Sequence, residues 1–339
     1  MKTDLKNMTL KEMEVFFEDI GEKRYRARQV FAWIYRGVYD FEDMTDLPKP
    51  LREKLEDTAC IEKLAMVRKQ VSKKDETRKY LFRLSDGETI ESVFLKYKYG
   101  NSVCLSSQAG CRMGCAFCAS ALDGLARNLS ASEMSDQILA IEKDTGEKIG
   151  HVVVMGTGEP FDNYDSLIRF IALINAKEGL NIGLRNITVS TCGLIPRIDR
   201  FAEDMPQVNL AISLHAPNDR IRNRLMPVSA SYPMDDLLKA VRRYTEKTGR
   251  RVTFEYALIR DINDAAAHAK ELAARLKGML CHVNLIPLNE VSETPFKGTG
   301  REKAEEFKSI LEAAGIPATV RRELGGDIDA ACGQLRLGR

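Results

Sequence analysis

Nowhere does the sequence hold a run of about 18 apolar residues, the length a helix needs to cross a bilayer. The first residues, Met1-Lys-Thr-Asp-Leu-Lys-Asn-Met8, lack the apolar centre of a secretory signal, so the chain is expected in the cytoplasm, away from any membrane. A reducing cytoplasm makes structural disulfides an unsuitable basis for stability. An excess of one charge is also missing: 51 Lys and Arg stand against 49 Asp and Glu, a net charge of +2. Composition therefore carries no polyanion-binding signal, and any nucleic-acid surface must be local. Internal repeats and low-complexity tracts are absent, which sets aside solenoids and disordered arrays. What is present is an ordinary globular composition, 44% hydrophobic and 29% charged over 339 residues. That length allows roughly two domains, or one barrel-sized domain with an appendage.

Three regions follow from the patterning. Residues 1–75 read as a helical accessory domain with a linker. Thr9-Leu-Lys-Glu12 is a capping box that opens an apolar-periodic stretch. A second helix ends near Gly37 and mixes Arg24, Arg26, Arg28 and Arg36 with Tyr25, Trp33 and Tyr35. That mixture suits RNA docking, and equally a solvated basic face over a small core. A third helix follows Pro48-Lys-Pro50, and the polar, basic stretch from Arg68 to Arg78 reads as a linker. Residues 76–100 form a β-hairpin extension around the Asp86-Gly87 turn. From 101 to 339, strands near 102–107, 151–155, 187–191, 208–214, 252–258, 282–287 and 318–322 alternate with helical segments. Alternation of this kind predicts right-handed βαβ units and a parallel α/β sheet, open or curled into a barrel, with six units where a closed TIM barrel has eight.

The unusual residues gather at the carboxyl ends of these strands. The cysteine cluster follows the first strand, Gly156-Thr-Gly158-Glu159 the second, and Ser190 ends the third. Ser213, Leu214 and His215 end the fourth, Asn289 follows the sixth and Cys332 the last. Active sites of parallel barrels are built on this rim. Cys111-Arg-Met-Gly-Cys115-Ala-Phe-Cys118 places three thiols on one tight loop without a fourth cysteine to complete a set. Three thiolates hold three irons of a 4Fe–4S cluster and leave the fourth iron open. Zinc is the alternative, but its structural sites want four ligands, and the nearest further candidate, Cys104, lies on the preceding strand. Cys60, Cys192 and Cys281 fit no motif and read as small buried hydrophobes.

The Cys-x-x-x-Cys-x-x-Cys spacing, with Phe117 before the last cysteine, resembles the signature of the radical S-adenosylmethionine superfamily. Thr77-Arg-Lys-Tyr, Cys104-Leu-Ser-Ser-Gln-Ala-Gly-Cys111, Ser213-Leu-His-Ala-Pro-Asn-Asp219, Leu285-Ile-Pro-Leu-Asn289 and Gly326-Asp-Ile-Asp-Ala-Ala-Cys-Gly-Gln334 narrow the resemblance to the RlmN family of dual-specificity RNA methyltransferases. One departure is Val228-Ser229 in Arg224-Leu-Met-Pro-Val-Ser-Ala, where that family commonly has Ile-Asn. The resemblance implies a partial (βα)6 radical-SAM barrel behind an N-terminal helical accessory domain. It implies methylation at C2 of an adenosine in 23S rRNA and of the adenosine 3′ of the tRNA anticodon. The implied cofactors are one 4Fe–4S cluster on Cys111, Cys115 and Cys118 and two molecules of S-adenosyl-L-methionine per turnover, with electrons from a donor such as flavodoxin.

Residue roles follow from the same resemblance. Cys332 would carry the methyl group as S-methylcysteine, Cys104 would resolve the RNA adduct through a transient disulfide with Cys332, and Glu91 would be the proton acceptor. Gly158, Glu159, Ser190, Ser213, Leu214, His215 and Asn289 would contact S-adenosylmethionine. Two other readings compete. A C8 adenosine methyltransferase of the sister Cfr family shares the fold, though Ala109 and Ala216-Pro-Asn-Asp219 favour the C2 enzymes. A non-catalytic iron–sulfur or zinc RNA-binding module would need neither Cys332 nor Glu91. Local basic groups at Lys73, Lys74, Arg78, Lys79, Arg242, Arg243, Arg250 and Arg251 are candidates for phosphate contacts.

Overall fold

The computed structural model describes residues 2–335, so residues 336–339 of the expected barrel domain lie outside the described residues. Near the N-terminus β1 (Thr3–Asp4) pairs in parallel with β2 (Ala59–Cys60). Between them lie α1 (Leu10–Asp19), α2 (Arg24–Ile34) and α3 (Lys49–Thr58). The Thr9 hydroxyl accepts from Glu12 N while the Glu12 carboxylate accepts from Thr9 N, the reciprocal cap expected from the sequence. Met13, Phe17, Val30, Phe31, Ile34, Leu51 and Leu55 are buried, and their core is continuous with that of the rest of the chain.

Next come β3 (Ala65–Val71), β4 (Arg78–Arg83), β5 (Thr89–Tyr97) and β6 (Gly100–Leu105), successive antiparallel neighbours. The stretch 68–78, expected as a linker, is therefore partly strand. β3 is an edge with Met66, Val67 and Val71 exposed, so no alternation of buried and solvated positions marks it. A small hairpin of β7 (Gln108–Gly110) and β8 (Leu125–Asn128) brackets the cysteine loop.

The chain then alternates as expected: α4 (Ala131–Thr145), β9 (His151–Val154), α5 (Tyr164–Asn175), β10 (Ile187–Thr191), α6 (Ile195–Asp204) and β11 (Asn209–Ser213). It continues through α7 (Asp219–Leu225), α8 (Met234–Thr248), β12 (Val252–Leu258), α9 (Ala266–Leu276), β13 (Cys281–Pro287), α10 (Arg301–Ala313) and β14 (Ala318–Val320). Among the described residues the main sheet has ten strands in the order β14-β13-β12-β11-β10-β9-β6-β5-β4-β3. From β6 through β9 to β14 every neighbouring pair is parallel. Its edges, β3 and β14, do not meet, so this is an open, partial barrel with six helical crossovers. Interior strands such as β9 and β10 bury Val152, Val154, Ile187 and Val189, because helices cover parallel sheets. Among the described residues no helix is long and apolar enough to cross a membrane.

Candidate active site

Two adjoining cavities open at the carboxyl ends of the parallel strands. The smaller, about 160 Å³, is lined by Cys111, Cys115 and Cys118 together with Gly158, Glu159, Ser190, Ser213, His215, Asn289 and Cys332. The larger, about 740 Å³, is walled by Val93, Leu95 and Tyr97 of β5, by Cys104, and by Arg321, Arg322 and Cys332 beyond β14. Met155, Ile286, Asn289, Arg321 and Cys332 line both. Of the expected cofactor contacts only Leu214 is off the wall, fully buried beneath it with its N–H donated to Glu255 O at 3.0 Å.

Backbone demands explain the residues around the cysteine loop. Gly110 has φ 76°, and a Cβ there would lie 2.0 Å from Gly124 O, the atom that accepts from Cys111 N at 2.8 Å. Gly158 has φ 107°, and a Cβ would meet that of Gln108 at 2.6 Å. Gln108 in turn binds the loop after β9, accepting from Glu159 N at 2.8 Å, while Ser106 Oγ accepts from Thr157 N at 2.9 Å. The first and second strand-end loops are thus held together as one unit.

The three cluster thiols influence one another: burial chiefly, and neighbouring thiols in addition, push Cys111 up to about 12 and raise Cys115 and Cys118. Without a metal they are held as neutral thiols, and iron would displace their protons. Among the described residues no three His, Cys, Asp or Glu side chains converge on a single-ion site. Three sulfurs around one cavity fit a cluster in which each thiolate takes its own iron. His215 has φ 55° and is buried; its Nδ1 accepts from Ala257 N at 2.9 Å. Burial, aided by the Arg222 charge, pulls this imidazole down to about 3, so it is neutral at pH 7 with its hydrogen on Nε2. Glu159 is buried and bridges two loops, accepting from Phe161 N at 3.0 Å and Cys192 N at 2.8 Å. Burial raises its carboxyl above the usual range despite those bonds.

Cys332 is held from several sides. Asn289 Nδ2 donates to Cys332 O at 3.0 Å, and Ala119 N, just after the last cluster cysteine, donates to Gly333 O at 2.8 Å. Arg321 Nη1 approaches Cys332 Sγ at 3.0 Å, and the sulfur beside it holds the guanidinium more firmly protonated. Cys104 lines the larger cavity and packs with Val93, Leu95, Ala330 and Leu335. Burial and the neighbouring Cys332 push its thiol up to about 12, so it is neutral at rest. Glu91 is 3% exposed and pairs with Lys79 Nζ at 3.2 Å. It shares the face of β5 that presents Val93, Leu95 and Tyr97, and Lys79 also donates to Asp329 O at 3.1 Å in the Cys332 loop.

A "Probable dual-specificity RNA methyltransferase RlmN" of Thermoanaerobacter sp. (strain X514) is 56% identical over 334 residues, covering 98% of this chain and 97% of its own. The chain belongs to the RlmN family. A relative of the same printed name from Desulforamulus reducens is 51% identical across 99% of this chain and 96% of its own. Residues 3–61 match the ribosomal RNA large subunit methyltransferase N-terminal domain, and residues 105–273 match the radical SAM superfamily. A crystal structure of a radical SAM methyltransferase from Sphaerobacter thermophilus superimposes with a TM-score of 0.95 at 48% identity, covering 98% of this chain and 99% of that one. This is accordingly a radical SAM RNA methyltransferase of RlmN type, a superfamily whose members in general use S-adenosylmethionine and a 4Fe–4S cluster.

Within this RlmN-family chain, the buried Arg222 and Glu255 and the half-buried Arg321 also belong to the site, although no sequence motif marks them. Arg222 is wholly buried, donating to Cys192 O at 2.7 Å and to Leu214 O and Ser213 O at 3.3 Å, so it ties the third and fourth strand ends together. Glu255 lines the smaller cavity and accepts from Asn284 Nδ2 at 2.9 Å. Arg321 contacts Cys332. None belongs to a spacing pattern: Arg222 lies within α7 and Glu255 in the middle of β12, and only Arg321 directly follows a strand. Several basic candidates are engaged within the protein: Arg243 forks onto Asp199 at 2.7 Å, Arg78 lies 3.9 Å from Asp144, and Arg250 binds Asn209.

Proposed function

We propose that this chain methylates C2 of an adenosine in 23S rRNA and of the adenosine 3′ of the tRNA anticodon, through a methyl group carried on Cys332. The observation that carries the reading is that Cys332 lies on the wall common to both cavities, with the cluster cysteines lining one and Cys104 the other. Adenine C2 is too electron-poor to attack a sulfonium methyl directly, so the methyl group must arrive by another route.

Cys111, Cys115 and Cys118 would hold the cluster, and Gly158, Glu159, Ser190, Ser213, His215 and Asn289 would surround S-adenosylmethionine in the smaller cavity. When bound, the reduced cluster supplies the electron that splits S-adenosylmethionine into methionine and a 5′-deoxyadenosyl radical. The neutral His215, its Nδ1 occupied by Ala257 N, offers Nε2–H as a donor to this ligand. Leu214 supports the wall from beneath. Cys332 first takes a methyl group from one S-adenosylmethionine by displacement, releasing S-adenosylhomocysteine. That methyl gives one hydrogen atom to the 5′-deoxyadenosyl radical, which leaves as 5′-deoxyadenosine, and the carbon radical remaining on the Cys332 sulfur adds to C2 of the RNA base in the larger cavity. Glu91 then accepts the C2 proton, and the adduct gives up its one unpaired electron, which the oxidised cluster would take back, so that the ring is aromatic again. Cys104 attacks the Cys332 sulfur, so that an S–S bond forms and the S–CH2 bond breaks, and the freed carbon becomes the methyl group after protonation. An external thiol reductant restores both cysteines, and a low-potential donor such as flavodoxin would supply the electron. Both RNAs place the work in the cytoplasm.

The test is to incubate anaerobically reconstituted protein with ribosomal RNA and analyse the digested nucleosides. 2-Methyladenosine is expected. 8-Methyladenosine would move the chain to the C8 reaction, and an unmodified pool under conditions that cleave S-adenosylmethionine would overturn the assignment.

A further inference from the structure

The β5–β6 hairpin carries an aromatic pair that the reaction does not use. Tyr97 pairs with Gly100 across the hairpin, so Lys98 and Tyr99 alone form the turn, and Gly100 at φ 133° lets the chain reverse there. The turn is therefore short and well defined. Tyr97 and Tyr99 stack with ring centroids 4.9 Å apart and planes 8° from parallel, and His151 supports Tyr99 edge-on at 5.2 Å. Tyr97 lies on the wall of the larger cavity, with Cys104 and Cys332. Tyr99 extends the stack outward and is 68% exposed, the most exposed large hydrophobic side chain among the described residues.

An aromatic ring held rigidly with its outer face in water is a surface on which an unpaired base can stack, whatever the base's identity. The charge around it suits RNA: Arg301, Arg321 and Arg322 line the same cavity and Lys98 is exposed in the turn. A base directed to Cys332 must leave its own stack, and its neighbour then loses a stacking partner as well. We propose that Tyr97 and Tyr99 form a stacking platform for the unpaired base adjoining the adenosine that enters the larger cavity. The proposal rests on the RNA reading given above, and it adds a contact that recognises loop structure beyond the target base.

The probe is an anticodon stem-loop RNA in which 2-aminopurine replaces the nucleotide beside the target adenosine. Binding to the full-length holoprotein should quench its fluorescence, as stacking on tyrosine does. Tyr99→Phe should bind and quench like the parent. Tyr99→Ala should lose the quench and weaken RNA binding about tenfold at fixed salt, with an unchanged dependence on salt because no phosphate contact is removed. Unchanged affinity and quench in Tyr99→Ala, or a changed salt dependence, would overturn the platform alone. Parent protein that fails to bind the RNA would overturn the platform and the RNA reading together. Parent protein that binds and quenches but leaves the adenosine unmethylated would uphold the platform and sink the reaction.

Discussion

Arg321 Nη1 stands 3.0 Å from Cys332 Sγ, so negative charge on that sulfur meets a cation already in position. The methyl capture proposed for Cys332 needs the sulfur as a nucleophile, and a guanidinium at this distance should quicken it. Arg321→Leu should slow alkylation of Cys332 by iodoacetamide about tenfold at pH 7, read by peptide mass mapping. An unchanged rate would show that the contact only orders the loop. His215 leads to a prediction about pH. Its folded value, about 3, lies below the ordinary 6.5, so the unfolded chain binds the proton first as pH falls. The imidazole's contribution to stability is therefore complete above 6.5 and is lost progressively towards 3. Between pH 7 and pH 5 it should remove about 2 kcal/mol, and His215→Asn should flatten the urea-measured stability profile by that amount. An identical slope in the variant would contradict a neutral, buried imidazole.

Among elements, the strand-end loops owe their shape to close backbone approach. Gly158 combines φ 107° with a Cβ clash at 2.6 Å, whereas Gly146, the left-handed cap of α4 at φ 68°, has open space around it. Gly146→Ala should cost about 1 kcal/mol for the backbone conformation alone, and Gly158→Ala about 3 kcal/mol because Gln108 must also move. Chemical denaturation of both variants gives the comparison; equal losses would mean that the loop yields freely. The legible elements were those whose signals are local. Thr9 with Glu12 marked α1, Asp86-Gly87 marked the turn before β5, and the apolar runs of the parallel strands marked the sheet. β3 was missed because an edge strand wet on both faces has no alternation. The short α7 was missed because seven residues, Asp219–Leu225, are too few to show a helical period, although the Asn218 side chain caps it by accepting from Ile221 N. Arg222 and Arg321 were illegible as site residues because their partners are backbone carbonyls and a sulfur supplied by other strand ends, a relation only the folded sheet creates.

At the scale of the whole molecule, the N-terminal helices and the barrel share one core. Lys6 Nζ pairs with Asp136 of α4 at 2.6 Å, both side chains are 1% exposed, and the Tyr39 hydroxyl donates to the same carboxylate at 2.8 Å. Removing either partner would leave a buried charge, so the helical unit is fixed to the barrel rather than tethered by a linker. Its basic helix is also partly engaged: Arg24 pairs with Glu18 at 2.6 Å, and Trp33 Nε1 donates to Asp46 at 2.6 Å. Under the proposed function the two cavities give their cysteines different tasks. Cys104→Ala leaves Cys332, its arginine and the cluster loop in place, and removes only the thiol that would release the RNA. The most direct measurement is a denaturing gel of Cys104→Ala purified from cells. A shifted, nuclease-sensitive band is expected, absent from the Cys104→Ala/Cys332→Ala double variant. Normal RNA methylation by Cys104→Ala with no shifted band would contradict the account.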